Sequence, residues 1–181
     1  MGIIFFRLLL TFNATSLLVI VFCIQNKFAI DHFYPHQLTS WIPEYISYAA
    51  YITAPILLTY LSLFLSRFLG KDEFKSGEVE TIEHANNSFL PSYLGYFFVA
   101  LSVTDLQTLF FVYGILFAFT FLSQALYFNP LFLLFGYEFY NVRTTSGTTI
   151  FLISRIRYKT PGSVCIPAAR RINDYTFLER N

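Results

Sequence analysis

Residues 3–24 read IIFFRLLLTFNATSLLVIVFCI, an apolar run interrupted by a single charge, Arg7. Wound as a helix the run is about 33 Å long, and the hydrocarbon core of a bilayer is about 30 Å thick. Three more apolar runs follow, at about 45–68, 89–103 and 108–128. Inside hydrocarbon the backbone must satisfy its own N–H and C=O groups, which leaves helices or a closed barrel. None of the runs alternates polar and apolar residues as a barrel strand does. The sequence therefore predicts an α-helical integral membrane protein with four transmembrane helices.

Composition agrees with that reading. Hydrophobic residues make up 55% of the 181 and charged residues 13%, about half the charged share of a soluble domain. The 23 Phe and 13 Tyr suit lipid-facing and interfacial surface. The net charge of +1 names no partner, but its distribution fixes an orientation. No Lys or Arg occurs between Ser76 and Val142, while the loop after the second run holds Arg67, Lys71 and Lys75 and the tail runs from Arg143 to Arg180. With both termini inside, Lys27 alone is left outside, a strong positive-inside bias. The expected arrangement is multi-pass, with N and C termini cytoplasmic. A cleaved signal sequence fits poorly: Arg7 lies within the apolar run, the core is too long and no A-x-A-like site follows Cys23. Cys23 and Cys165 fall in different compartments and lack metal-ligand spacing.

Walking outward from the first run, Asn13, Thr15 and Ser16 sit at its middle, where polar side chains face another helix and bond across it. Residues 25–44 carry Phe28, Phe33, Tyr34, Trp41 and two prolines, and read as an irregular segment on the headgroup layer. His32 and His36 have HxxxH spacing, but Pro35 breaks a helix between them, so a metal site is not expected there. Along the second run Tyr48, Thr59, Ser62 and Ser66 belong to one face at alternating three- and four-residue steps. Small and hydroxyl residues on one face mark a helix–helix or subunit contact in lipid. Pro55 lies in the same face and is expected to kink the helix. Residues 70–88, rich in Asp and Glu, read as a partly helical cytoplasmic loop with a solvated face. The turn Thr104-Asp105-Leu106-Gln107 makes a hairpin of the third and fourth runs, with Asp105 as a helix cap. Asn129-Pro130 and Gly136 bracket a shallow interfacial stretch.

The tail has a different texture. Tyr137-Glu138-Phe139-Tyr140-Asn141-Val142-Arg143-Thr144-Thr145 and Thr148-Thr149-Ile150-Phe151-Leu152-Ile153-Ser154-Arg155-Ile156-Arg157-Tyr158 flank Ser146-Gly147, which signals a β-hairpin. Asn173-Asp174 turns into a third strand at Tyr175-Thr176-Phe177-Leu178. The chain thus divides into a bundle, 1–136, and a small β-rich cytoplasmic module, 137–181. At this size the module is expected to lean on the membrane, on other copies or on a partner. Arg155, Arg157 and Lys159 alternate along one strand and point the same way. With Arg170 and Arg171 they form the expected partner-binding residues.

The chain has no nucleophile–base constellation, no phosphate-cradling glycine loop and no ligand cluster. The expectation is a non-enzyme without cofactors or a metal, and without direct nucleic-acid binding. The four-span layout, the charged loop after the second span, and the tail segments Val142-Arg143-Thr144-Thr145-Ser146-Gly147, Ile150-Phe151-Leu152-Ile153-Ser154 and Arg171-Ile172-Asn173-Asp174-Tyr175-Thr176-Phe177 resemble the KwaA family, the membrane subunits of the bacterial Kiwa anti-phage defence system. That resemblance implies an oligomer embedded in the bacterial inner membrane that senses infection and recruits a soluble, KwaB-like effector acting on phage DNA. The competing expectation is a small channel or membrane-permeabilising effector, with Asn13, Thr15, Thr59, Ser62 and Gln124 lining a path. A transporter would require internal repeats or broken helices, and the chain has neither.

Overall fold

A computed structural model of the chain describes residues 3–33, 41–75, 77–88, 90–122 and 129–180. Four helices form one layer: α1 (Ile3–Gln25), α3 (Glu44–Leu65), α4 (Leu90–Ser102) and α5 (Leu106–Leu122), with the four-residue α2 (Ile30–Phe33) after α1 and a 3-10 turn (Ser66–Phe68) ending α3. α1 is the axis, and α3, α4 and α5 all pack on it. The inward side chains are small or apolar, among them Leu10, Ala14, Leu18 and Phe22 of α1, and Ser47, Thr59 and Ser62 of α3. The outward ones are aliphatic and aromatic on every helix. Phe12, Ile52, Leu57, Tyr60, Phe98, Phe110 and Phe119 are all exposed.

α1 and the second helix through Phe68 are long and apolar enough to cross a membrane. α4, with 13 residues, and α5, with 17, are shorter, about 20 and 25 Å. Four helices of full spanning length are therefore not what the described residues form. Residues 123–128, at the end of the expected fourth run and including Gln124, lie outside the described residues, as do Tyr34, Pro35 and His36. The α4–α5 turn is as expected. Asp105 caps α5, its two carboxylate oxygens accepting from the Thr108 backbone N–H and hydroxyl at 2.8 Å each. Those bonds hold the Asp105 carboxyl below its ordinary range.

The chain passes through this layer four times. Phe6 and Leu10 near the start of α1, and Leu63 and Leu65 near the end of α3, share one cluster with Phe139, Phe151, Ile153 and Leu178 of the tail. Leu18, Phe22 and Cys23 at the other end of α1 pack with Ala100, Val103 and Leu109 around the α4–α5 turn. The β-structure thus sits at one end of the bundle, where α1 begins and α3 ends.

That β-structure is a six-stranded sheet: β1 (Lys71–Phe74), β2 (Val79–His84), β3 (Glu138–Thr144), β4 (Thr149–Ser154), β5 (Ile166–Arg171) and β6 (Thr176–Glu179), in the order β1-β5-β6-β4-β3-β2. The β3–β4 hairpin and the last strand lie where the sequence puts them. At the hairpin tip Gly147 has φ +83°, a conformation that favours glycine. A one-turn helix α6 (Leu131–Leu134) fills the Pro130–Gly136 stretch. It ends in a Schellman cap, the Tyr137 N–H donating to Phe132 O and the Gly136 N–H (φ +76°) to Leu133 O.

Three expectations need correction. Residues 70–88 are not a partly helical loop, because β1 and β2 come from them and form both edges of the sheet. The tail alone therefore does not make up the β-structure. β5 is a strand the sequence reading did not find. β4 stops at Ser154, and Arg155-Ile156 is a bend, so the three cations do not share one strand face.

The sheet is curled. Laid flat, its two edge strands would be about 24 Å apart. The link between Phe74 and Val79 reaches at most about 18 Å. Phe74, Val79 and Ile82 from the edges accordingly meet Tyr140, Val142, Leu152, Ile166 and Phe177 in a single cluster on the inner face, closed by Tyr158 and Val164 of the β4–β5 connection. The outer face carries Phe139, Phe151, Ile153 and Leu178 against the helices.

Candidate functional site

Strand alternation sends Tyr137 and Glu138 to opposite faces of the sheet, and the two bend arginines follow them. The Arg155 guanidinium lies over the Tyr137 ring, 4.7 Å from its centroid, on the bundle side. Arg157 Nε donates to Glu138 Oε1 at 2.8 Å on the inner side. Glu138 is a hub: its Oε2 also accepts from the Tyr140 hydroxyl at 2.7 Å and lies 3.3 Å from His84 Nε2. Burial opposes the charge on Glu138, but the bonds from Tyr140, Arg157 and His84 outweigh it and hold the carboxyl below its ordinary range. Burial together with the anionic neighbour pushes Tyr140 up to about 12.

A second carboxylate sits deeper. Glu179 is 4% exposed, and its oxygens accept from the Tyr158 hydroxyl at 2.8 and 3.0 Å and from the Ser154 hydroxyl. The Tyr158 backbone N–H donates to the Tyr140 hydroxyl at 3.3 Å and so links the two hubs. Burial and the Glu179 carboxylate raise the Tyr158 phenol. A shallow cavity of about 50 Å³ opens at this point, lined by Tyr137, Arg155, Ile156 and Glu179. These acids serve the fold of the bend that presents Arg155, Arg157 and exposed Lys159.

The five cations expected to bind a partner are not one patch. Arg155, Arg157 and Lys159 share the bend after β4. Arg171 pairs with Asp174 at 2.6 Å beyond β5. Arg170 faces the helices, where its Nη1 donates to Leu69 O at 3.0 Å. Beside it Arg180 Nη1 reaches Leu63 O at 3.2 Å and Ser66 Oγ at 3.5 Å. Leu63 O, which also accepts from the Ser66 hydroxyl at 2.7 Å, belongs to the negative dipole end of α3, and Leu69 O lies just past the 3-10 turn that follows it. Two tail arginines thus bind the end of α3 and fasten sheet to bundle. Nothing local in the sequence said which carbonyls Arg170 and Arg180 would meet.

Within the bundle the α3 stripe is buried in a single copy of the chain. Thr59, Ser62 and Ser66 are almost fully covered and Tyr48 is half-buried. Thr59 belongs to a polar knot. With its amide oriented to satisfy both ends, Asn13 accepts from Asn129 Nδ2 at 2.8 Å and from Thr59 N at 3.2 Å, and donates to Pro55 O at 3.1 Å. The Thr59 hydroxyl donates to Pro55 O at 2.8 Å and accepts from Asn129 Nδ2 at 3.0 Å. The sequence marks Asn129 only as one bracket of the interfacial stretch, because nothing in Asn129-Pro130 announces a partner 70 residues away. Thr15 bonds to the Tyr113 hydroxyl at 3.2 Å. The polar groups of the bundle interior are thus largely bonded to one another and to helix carbonyls. Among the described residues no group of His, Cys, Asp and Glu is arranged to hold a metal.

No curated protein and no solved structure gives a match to the chain. Residues 6–178 match the family described as anti-phage protein KwaA. That stretch takes in α1 from Phe6 onward, and α3, α4, α5 and five of the six strands in full, so the match covers bundle and curled sheet together, and the chain belongs to the KwaA family of anti-phage proteins.

Proposed function

We propose that this chain is a membrane-embedded sensor and scaffold of anti-phage defence. It crosses the bacterial inner membrane four times with both termini cytoplasmic, associates with further copies of itself, and recruits a cytosolic, KwaB-like effector to its curled sheet without itself catalysing a reaction or binding nucleic acid. The observation that carries the reading is the joint of two unlike parts. A bundle with an aromatic and aliphatic outer wall is fastened at one end to a polar sheet by Arg170 and Arg180 on the end of α3. An outer wall of that composition suits lipid, where a water-facing surface of this extent would aggregate. The bonded polar knot around Asn13 favours a packed bundle over a water-filled channel. The bend with exposed Arg155 and Lys159 is the docking surface that suits an acidic partner.

Reporter fusions at Gln37, Lys75 and Asn181 test the topology, with Gln37 outside and the other two inside. Recruitment is tested by pull-down from membranes with Arg155→Glu combined with Lys159→Glu, leaving Arg157 on Glu138. The expected outcome is loss of the effector with insertion unchanged. Effector retained at the wild-type level places docking elsewhere.

A further inference from the structure

Four cations gather where α3 meets the sheet, and no described acid is ion-paired to any of them. Lys71 stands directly opposite Arg170 across the β1–β5 pair, so both project from the bundle-facing side. Like charges in that register repel unless an anion joins them. Arg180 lies on the same face one strand further, bonded to the end of α3. Arg67, in the turn ending α3, rests its guanidinium 3.5 Å from the centre of the Phe64 ring and 4.8 Å from that of Phe68. The nearest acids look elsewhere: Asp72 is the next residue along β1 and projects from the other face, and the Glu73 carboxylate sits on Lys75 at 3.4 Å.

Arg170 supplies the second observation. Its Nη1 is held by Leu69 O, which fixes the plane of the guanidinium. Its Nε is buried and has no hydrogen-bond partner. A buried donor without an acceptor is rare in a native protein and destabilising. Nε itself is closed off by protein, so an incoming anion meets Nη2, which no group among the described residues bonds. Arg170 as a whole is half-buried, so the group stands near the surface. The exposed wall of Tyr60, Leu61, Phe64 and Phe68 runs straight to Arg67, so the cluster stands where an apolar surface gives way to a polar one.

We propose that Arg170, Lys71, Arg67 and Arg180 form a binding site for a phosphate group, filled by the headgroup of an anionic phospholipid. This rests on the membrane reading above. It ties one lipid to the joint between helix and sheet.

The test uses the full chain in detergent, titrated with phosphatidylglycerol, with phosphatidylcholine and with inorganic phosphate, alongside flotation with vesicles of phosphatidylcholine alone. Phosphatidylglycerol is expected to bind saturably and phosphatidylcholine not. Lys71→Gln and Arg67→Gln, both at exposed positions, should each weaken binding about fivefold. Arg170→Lys keeps the charge and loses the planar fork, and should weaken it at least as much. Equal binding of the two lipids overturns the site, and so does unchanged binding by Arg170→Lys together with Lys71→Gln. Inorganic phosphate binding as tightly as phosphatidylglycerol overturns the lipid assignment in favour of a free anion. Failure to float with phosphatidylcholine vesicles is failure of the membrane reading. Flotation without a phosphatidylglycerol preference sinks this proposal alone.

Discussion

Glu138 is where single-residue chemistry is most exposed to test. Its carboxylate is shared by Arg157, Tyr140 and His84, and its folded pKa lies below the ordinary 4.5. A depressed carboxyl contributes stability that is fully present above 4.5 and lost as pH falls through the lower folded value. Tyr140 has the opposite sign. Raised to about 12 from 10.0, it contributes stability below pH 10 that is lost as pH rises through about 12. In Glu138→Gln the thermal midpoint should fall below wild type at neutral pH, and the gap should close at strongly acidic pH. A gap that persists in acid would mean that the carboxylate charge is not what stabilises the bend. Tyr158→Phe removes the donor to both oxygens of buried Glu179 and should cost about 1–3 kcal/mol, read by chemical denaturation.

At the scale of elements, the α3 stripe is a close-packed seam with α1. Ser62 is fully covered and its hydroxyl donates to Leu58 O at 2.8 Å. Ser62→Leu inserts three extra carbons where two helices meet and should destabilise the folded chain by about 1–3 kcal/mol. Because the seam lies inside one copy, the loss should appear as a lower melting temperature with the oligomer size, measured in nanodiscs, unchanged. A change of size at unaltered melting temperature would move the seam to a subunit boundary. The stripe's period was legible in the sequence. Whether it faced a neighbouring helix or a neighbouring copy was not, because both demand the same small residues.

For the whole molecule the decisive joint is between α3 and the sheet. Arg180→Gln removes a cation from the Leu63 carbonyl and the Ser66 hydroxyl, a charge-assisted pair of bonds whose loss should cost about 1.5–3 kcal/mol. The cost should be local. Hydrogen exchange at the amides of residues 66–74 should quicken, while the hairpin core around Phe139 and Leu152 keeps its protection. Uniform acceleration across the sheet would show that the joint carries no separate stability, and that bundle and sheet unfold as one body.

Apolar runs, charge asymmetry and turn residues could be read directly from the chain because each acts over a few residues. They gave the helices to within a few positions, the β3–β4 hairpin at Ser146-Gly147, the cap at Asp105 and the α6 stretch between proline and glycine. The sequence Ser-Gly occurs twice, at 76–77 and at 146–147, and shows where local reading stops. The second joins the paired strands β3 and β4, yet β1 and β2 on either side of the first do not pair with each other and stand at opposite edges of the sheet. Which strands become neighbours depends on the inner-face cluster that Phe74, Val79 and Ile82 complete with residues about 60–100 positions away. The same holds for the arginines: composition marked the tail as basic, but only the folded chain brought Arg180 to the Leu63 carbonyl and Arg170 to the Leu69 carbonyl, and left Arg155 and Lys159 exposed. Side-chain charge is a property of the residue. Its partner is decided by which backbone carbonyls the tertiary fold sets beside it.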